Sequence, residues 1–448
     1  MTDFLNKQEN QFPVEKIPNG KAWVVAVDMG YGHQRTAYPL KNLALSGEII
    51  KANNYDGIPI GDRRLWENTR KLYELITRFK KMPVIGEVIF AIFNEFQKIP
   101  KFYPKRNLSG TNFQLRQTFS LIKKGWGKHL IEKLNKNPLP MITTFFTPAF
   151  MAEFFGYKGD IFCVICDADI SRTWVSLKPA QSKIRYFAPT ERVVERLKFY
   201  GVNSKNIFLT GYPLPEEIIG TENLEILKND FAFRILNLDP HKNYFKRYEP
   251  LIEKYLGDLP EKPNHPLTIM FAVGGAGAQK EIGVKILESL SQKISGKEIK
   301  IILVAGIKEG VKNYFLKHIK KLGLEDNLKN EIEIIFADNV EGYFQKFNLA
   351  LKTTDILWTK PSELSFYAAL GLPIIIAPSI GYQENFNREW LFKIGSGIVQ
   401  ENPDFADEWL FDLLESGALA KAAMEGFIEA EKLGTFNILQ IIHKFSRE

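Results

Sequence analysis

Twice in this chain a short apolar, β-branched run ends in glycines and passes straight into a helical stretch. Residues 22–28, AWVVAVD, lead into Gly30-Tyr31-Gly32-His33, and residues 268–273 lead into Gly274-Gly275-Ala276-Gly277. A run with no polar alternation reads as a strand buried on both faces, the habit of parallel sheets. Strand, glycine turn and helix together open a doubly wound α/β domain, so two such openings in 448 residues imply two domains.

The rest of the chain keeps this rhythm. Strand-like runs recur at 141–145, 161–165, 183–187 and 206–210, then at 300–305, 331–336, 356–358 and 373–378. Helical spacing is expected at 34–46, with Pro39 interrupting it, and at 191–200, 311–322 and 407–445. Residues 212–265 are rich in proline with helical pieces in between, and read as a linker and the entry to the second domain. The expected division is residues 1–218 and 219–448, with the last helix returning to the first domain.

Net charge is +7, and its location matters more than its size. Residues 63–128 hold fifteen Lys and Arg against four acids, a local +11, which leaves −4 for the remainder. A basic surface of this kind calls for an anionic partner. Within the basic segment 63–129, Arg78, Lys80, Lys81, Lys98 and Lys101 flank an apolar run containing Phe90 and Phe93. That pattern suits a helix lying in the headgroup region of an anionic membrane, or a helix buried on the sheet with basic ends in water. No nucleic-acid module is recognisable, so nucleic acid is not the expected partner. No run reaches the roughly 20 apolar residues of a membrane span. The expected location is the cytoplasm, peripheral on the inner membrane face. Cys163 and Cys166 are the only cysteines and sit on or near a predicted buried strand, so core cysteines are expected rather than a metal or redox pair.

The glycine turns carry the candidate chemistry. Glycine lets a ligand approach the backbone, and the helix N-terminus that follows offers free N–H groups to a diphosphate. Many such turns use glycine only for packing. Gly30 and Gly32 add a base, His33, at the top of a parallel sheet, where it could take a proton from a hydroxyl or simply cap the turn. Asp167, at another strand end, could orient or share that role, or cap a turn itself.

These residues resemble one glycosyltransferase family. It includes plant monogalactosyldiacylglycerol synthase, bacterial processive diacylglycerol glucosyltransferases and, more distantly, the N-acetylglucosaminyltransferase that forms lipid II. Gly30-Tyr31-Gly32-His33 with Ala37 is similar to that family's Gly-x-Gly-His-x-x-x-Ala, and Cys166-Asp167 before Trp174-Val175 to its Thr-Asp segment. Tyr186–Glu191, Gly201-Val202, Ile207 and Thr210-Gly211-Tyr212-Pro213 follow in the same order. Gly274–Gly277 resembles the donor turn, and Thr359-Lys360-Pro361, Gly371-Leu372-Pro373 and Gln383-Glu384-x-x-Asn387 the donor block.

The resemblance implies a GT-B fold, two Rossmann-like domains facing a central cleft. It implies transfer of a hexosyl unit from a UDP-sugar to a lipid acceptor, inverting, with no metal and no cofactor beyond the donor. His33 would be the general base, with Asp167 beside it. Gly274, Gly275, Ala276 and Gly277 would hold the diphosphate, Lys360 would help neutralise it, and Gln383, Glu384 and Asn387 would meet the sugar, Asn387 alternatively capping a helix. Gly30, Gly32 and the basic segment would serve the acceptor and membrane side. The chain also departs from the family. Ser362-Glu363-Leu364-Ser365 stands where glycines and a threonine are usual, Phe366 holds the place of the ribose-binding acid, Tyr382 is inserted, and Ser171 replaces a histidine. Glu363 is a candidate substitute on the ribose. A GT-B nucleotide-sugar epimerase or hydrolase, and a non-enzymatic nucleotide- or lipid-binding protein, are the competing readings. Oligomeric state is not legible.

Overall fold

A computed structural model describes residues 22–79, 99–272, 277, 279–379 and 381–445. Twelve described strands form two wholly parallel six-stranded sheets. The first contains β1 (Trp23–Ala26), β2 (Ile50–Lys51), β3 (Met141–Thr143), β4 (Ile161–Val164), β5 (Arg185–Ala188) and β6 (Ile207–Leu209), in the order β2-β1-β3-β4-β5-β6. The second contains β7 (Leu267–Ala272), β8 (Ile299–Gly306), β9 (Ile332–Phe336), β10 (Ile356–Thr359), β11 (Ile374–Ile376) and β12 (Gly397–Val399), in the order β12-β11-β10-β7-β8-β9.

The apolar runs explain the strands. Ile161–Val164 is buried along its whole length, as are Ile356–Thr359 and Ile374–Ile376, because helices cover both faces of each sheet. In both sheets the strand order reverses beside the first strand, between β1 and β3 and between β7 and β10. Such reversals open a crevice at the carboxyl ends of the strands, where α/β proteins bind ligands. Here the two crevices face each other. Residues after β1 touch residues after β8 and β10, and residues after β4 touch residues after β11, and this is the GT-B architecture.

Several local expectations are corrected. The helix after β1 spans only Tyr31–Ala37. Pro39 then forces tighter 3-10 turns at Tyr38–Leu43 and Leu45–Gly47, because its ring removes an N–H from the α-helical ladder. The helical pieces expected between the prolines of 212–265 are three helices, Glu216–Ile219, Glu225–Leu238 and Phe245–Leu256. The C-terminal stretch is three helices, Ala406–Glu415, Ala418–Glu429 and Gly434–Phe445, the last two parted at Ala430 by extended backbone. Arg234, on the helix Glu225–Leu238, donates to the carbonyls of Thr354, Leu370 and Leu351, which flank the strand Ile356–Thr359 of the second sheet in sequence.

The final helix, Gly434–Phe445, lies on the first sheet. Phe445 packs edge-on against Phe162 at 5.5 Å between ring centres and lies 4.2 Å under the Arg185 guanidinium. Thr435 Oγ1 donates to Leu214 O at 2.5 Å and Asn437 Nδ2 to Thr210 O at 2.8 Å. Among the described residues, no helix is long and apolar enough to cross a membrane.

Candidate active site

The site is built where the two switch points meet. Gly30, at φ 110°, lets the chain leave β1 and start the helix Tyr31–Ala37 at once. Gly32 lies so close to Glu363 that a Cβ there would stand 3.3 Å from Glu363 Oε2. His33 follows, half-buried, with its ring 4.7 Å from that of Phe145 and 6.2 Å from that of Trp174.

His33 Nδ1 lies 2.8 Å from the carbonyl of Thr144, just past β3, and Thr144 Oγ1 donates back to the His33 carbonyl at 2.8 Å. A carbonyl can only accept, so Nδ1 carries the proton and Nε2 keeps its lone pair. Cys166 Sγ is 3.4 Å from the same nitrogen. Burial lowers His33 from the ordinary 6.5 to about 4, against the opposing pull of the Thr144 carbonyl and of Glu363. The imidazole is therefore neutral near pH 7.

Asp167 sits three residues past β4. Burial raises its carboxyl to about 6, helped by the charges of Glu363 and Glu384 and opposed by Asn387 and Lys360. Asn387 caps no helix. It lies within the helix Tyr382–Lys393, and its amide reaches across the cleft. Oδ1 accepts from Ala168 N at 2.8 Å, and Nδ2 donates to Asp167 Oδ1 and to Pro361 O, each at 3.3 Å. The Tyr186–Glu191 stretch supports the same point from behind. Thr190 caps the helix Glu191–Phe199 and donates to the Ala168 carbonyl at 3.2 Å, while Arg196 grips Asp169 with two bonds of 2.8 Å.

In the second domain, Gly274, Gly275 and Ala276 lie outside the described residues. Gly277, at φ 71°, is packed so that a Cβ would stand 2.9 Å from Val311. Lys360 follows β10 and is ion-paired with Glu384, which lies on the first turn of the helix Tyr382–Lys393. Gln383 is partly exposed beside it. Glu363 does not stand alone in the cleft, because its Oε1 is 3.4 Å from Arg35 Nε. Of the basic segment, Lys80, Lys81, Phe90, Phe93 and Lys98 lie outside the described residues, and of Arg78 only the backbone, in the helix Ile60–Phe79, is described. Lys101 is exposed and lends its carbonyl to Arg106 at 3.3 Å. Ser171 is buried and bonded to Thr173. Cys163 and Cys166 are free and buried.

Sequence reasoning passed over three residues. Thr144 gives no signal because its role is played by a backbone carbonyl. Tyr31 and Arg35 were legible in principle, since i and i+4 share one helix face. That face points away from the first sheet and into the second domain.

A sequence family described as a domain of unknown function, DUF6938, matches residues 260–437. The processive diacylglycerol beta-glucosyltransferase of Bacillus pumilus is 20% identical over 406 residues, covering 89% of this chain and 87% of that protein. The Bacillus subtilis protein of the same name is 20% identical over 390 residues, covering 85% and 83%. Among solved structures, Acinetobacter baumannii MurG superposes with a TM-score of 0.45 at 12% identity over 95% of this chain and 99% of its own.

Proposed function

We propose that this chain is a glycosyltransferase that moves a hexosyl unit from a UDP-sugar to the hydroxyl of a lipid acceptor, with inversion and without a metal. The carrying observation is the His33 imidazole. It is neutral, and Thr144 engages Nδ1, which leaves Nε2 with its lone pair at the end of the first sheet's switch point. The similarity to diacylglycerol glucosyltransferases over most of both chains supports the donor and acceptor classes.

In this reading His33 Nε2 takes the proton of the acceptor hydroxyl as its oxygen bonds to the anomeric carbon. The bond from that carbon to the diphosphate breaks on the opposite face, and UDP leaves. Backbone N–H groups of the turn at 274–277 receive the growing charge, with Lys360 released from Glu384 to help. Gln383 and Glu384 face the sugar hydroxyls. Asp167 is a neighbouring carboxyl whose charge varies near pH 6. The basic segment would hold the protein on an anionic leaflet beside its acceptor.

A second reading has its own support. The structure gathers Asp167, Glu363 and Glu384 near one another, more carboxylate than the sequence suggested, as an epimerase or hydrolase of UDP-sugars would need. UDP release from UDP-hexoses, with and without diacylglycerol vesicles, tests both. Release that requires lipid supports the transferase. Release indifferent to lipid supports the second reading, and absent release with selective UDP binding supports a binding protein.

A further inference from the structure

The helix that carries His33 is held by both domains: His33 bonds to Thr144 of the first, while Tyr31 and Arg35 reach into the second. Tyr31 and Arg35 project from one face of it. Tyr31 Oη accepts from Ile307 N at 3.1 Å, and Gly306 has no room for a side chain, since a Cβ there would lie 2.6 Å from that hydroxyl. Arg35 enters a box of aromatic rings on the second domain. Its guanidinium carbon is 4.3 Å from the ring centre of Phe347, 4.6 Å from Phe344 and 5.3 Å from Tyr343, and Nη2 donates to Tyr343 Oη at 2.7 Å. Arg35 is 2% exposed. Its Nη1 is buried without a hydrogen-bond partner, so the box is shaped to hold the ring faces against the cation rather than to satisfy every donor.

We propose that Arg35 is a positioning residue that ties the placement of His33 to the second domain. Seated in its box and paired with Glu363, it draws the helix Tyr31–Ala37 and its imidazole into the cleft. The site is complete only while the two domains stand together. Burial works against the Arg35 charge, but Tyr343, Tyr367 and Glu363 outweigh it and keep the guanidinium protonated. Arg35 therefore keeps its charge near neutral pH, and separation of the domains is what takes it out of its seat. A charged side chain serves this role better than an apolar one. Its attraction to Glu363 specifies one seat, whereas an apolar plug could slide along the rings.

This inference rests on reading His33 as the reacting base, yet its test does not require turnover. Nuclear magnetic resonance of the His33 ring, assigned with His33→Gln, gives its titration midpoint. Among described residues, Cys166 and Glu363 are the titratable groups that face it. Arg35→Met should raise the midpoint from about 4 toward the ordinary 6.5 as the imidazole becomes wetter. Tyr343→Phe should raise it less, and Arg35→Lys should recover part of the loss. In Arg35→Met/Glu363→Gln the midpoint should stay raised. A return to about 4 in the double variant would mean that only the freed Glu363 charge had acted, and would overturn the proposal. An unchanged midpoint in folded Arg35→Met would overturn it too. If that variant does not fold, an unchanged midpoint in Tyr343→Phe decides against it. Failure of the unaltered protein to bind UDP in a thermal-shift assay would sink the transferase reading while leaving the titration result standing.

Discussion

His33 and Thr144 exchange two hydrogen bonds of 2.8 Å, ring nitrogen to carbonyl and hydroxyl to carbonyl, across the switch point between β1 and β3. The exchange fixes both the tautomer and the tilt of the imidazole, which is the orientation the proposed proton transfer requires.

His33→Ala should lower lipid-dependent UDP release by about 10²–10⁴-fold, the usual worth of a positioned base. The thermal stabilisation given by UDP should persist, because the donor turn lies in the other domain. Full turnover in His33→Ala would remove the base from this residue.

Selectivity among nucleotides follows from the donor half. UDP should raise the melting temperature more than ADP, GDP or TDP. Equal responses would point to a diphosphate cradle without base recognition, and no response to a donor site altered by the Ser362–Ser365 block.

The two buried titrating groups drive stability in opposite directions with pH. His33 is depressed from 6.5 to about 4, so its contribution is present above 6.5 and fades as pH falls through about 4. Asp167 is raised from 3.8 to about 6, so its contribution is present below 3.8 and lost as pH rises through about 6. Asp167→Asn should therefore gain roughly 1–2 kcal/mol at pH 8 relative to the unaltered protein, and little at pH 4. Urea unfolding at the two pH values checks the sign.

Asn387→Ala removes the acceptor of the buried Ala168 N–H and both donations to the cleft. A loss of about 1–3 kcal/mol is expected from the stranded groups. Asp167 should also titrate higher, because the Asn387 amide is what lowers it. A variant as stable as the parent, with Asp167 unmoved, would show that the bridge does not form in solution.

Gly434→Ala places a Cβ 2.2 Å from the Tyr212 carbonyl oxygen, a backbone atom that cannot swing aside. About 1–3 kcal/mol should be lost to overpacking. Hydrogen exchange should rise mainly in the helix Gly434–Phe445.

The strands and the order of the glycine turns were legible because parallel strands carry their signal in unbroken apolar runs such as IFCV and ILWT. β2 and β12 escaped because Ile50–Lys51 and Gly397–Val399 are too short and too exposed to show one. His33 was legible as a residue but not as a tautomer, since Thr144 lies 111 positions away and contributes a carbonyl that every residue possesses. Asn387 was singled out by its motif, with capping of the following helix as the alternative, and the structure excludes the cap. Helix capping is a local expectation, while its partners Asp167 and Ala168 stand about 220 residues distant. Glu363 was legible as a carboxylate in the donor-like block but not as the partner of Arg35, which stands 328 positions earlier in the chain.

The chain passes between the two sheets once after Gly211 and again before Gly434, and the two passages lie against each other. A Cβ on Gly211 would stand 2.7 Å from that of Glu431, and Thr435 is bonded to Leu214. Paired crossings behave as a door hinge, whereas a single crossing would be a swivel. Swinging about their common line costs little, but twisting or sliding one half past the other would shear the contact between them. A swing about that line is the movement that would part Arg35 from the rings of Tyr343, Phe344 and Phe347.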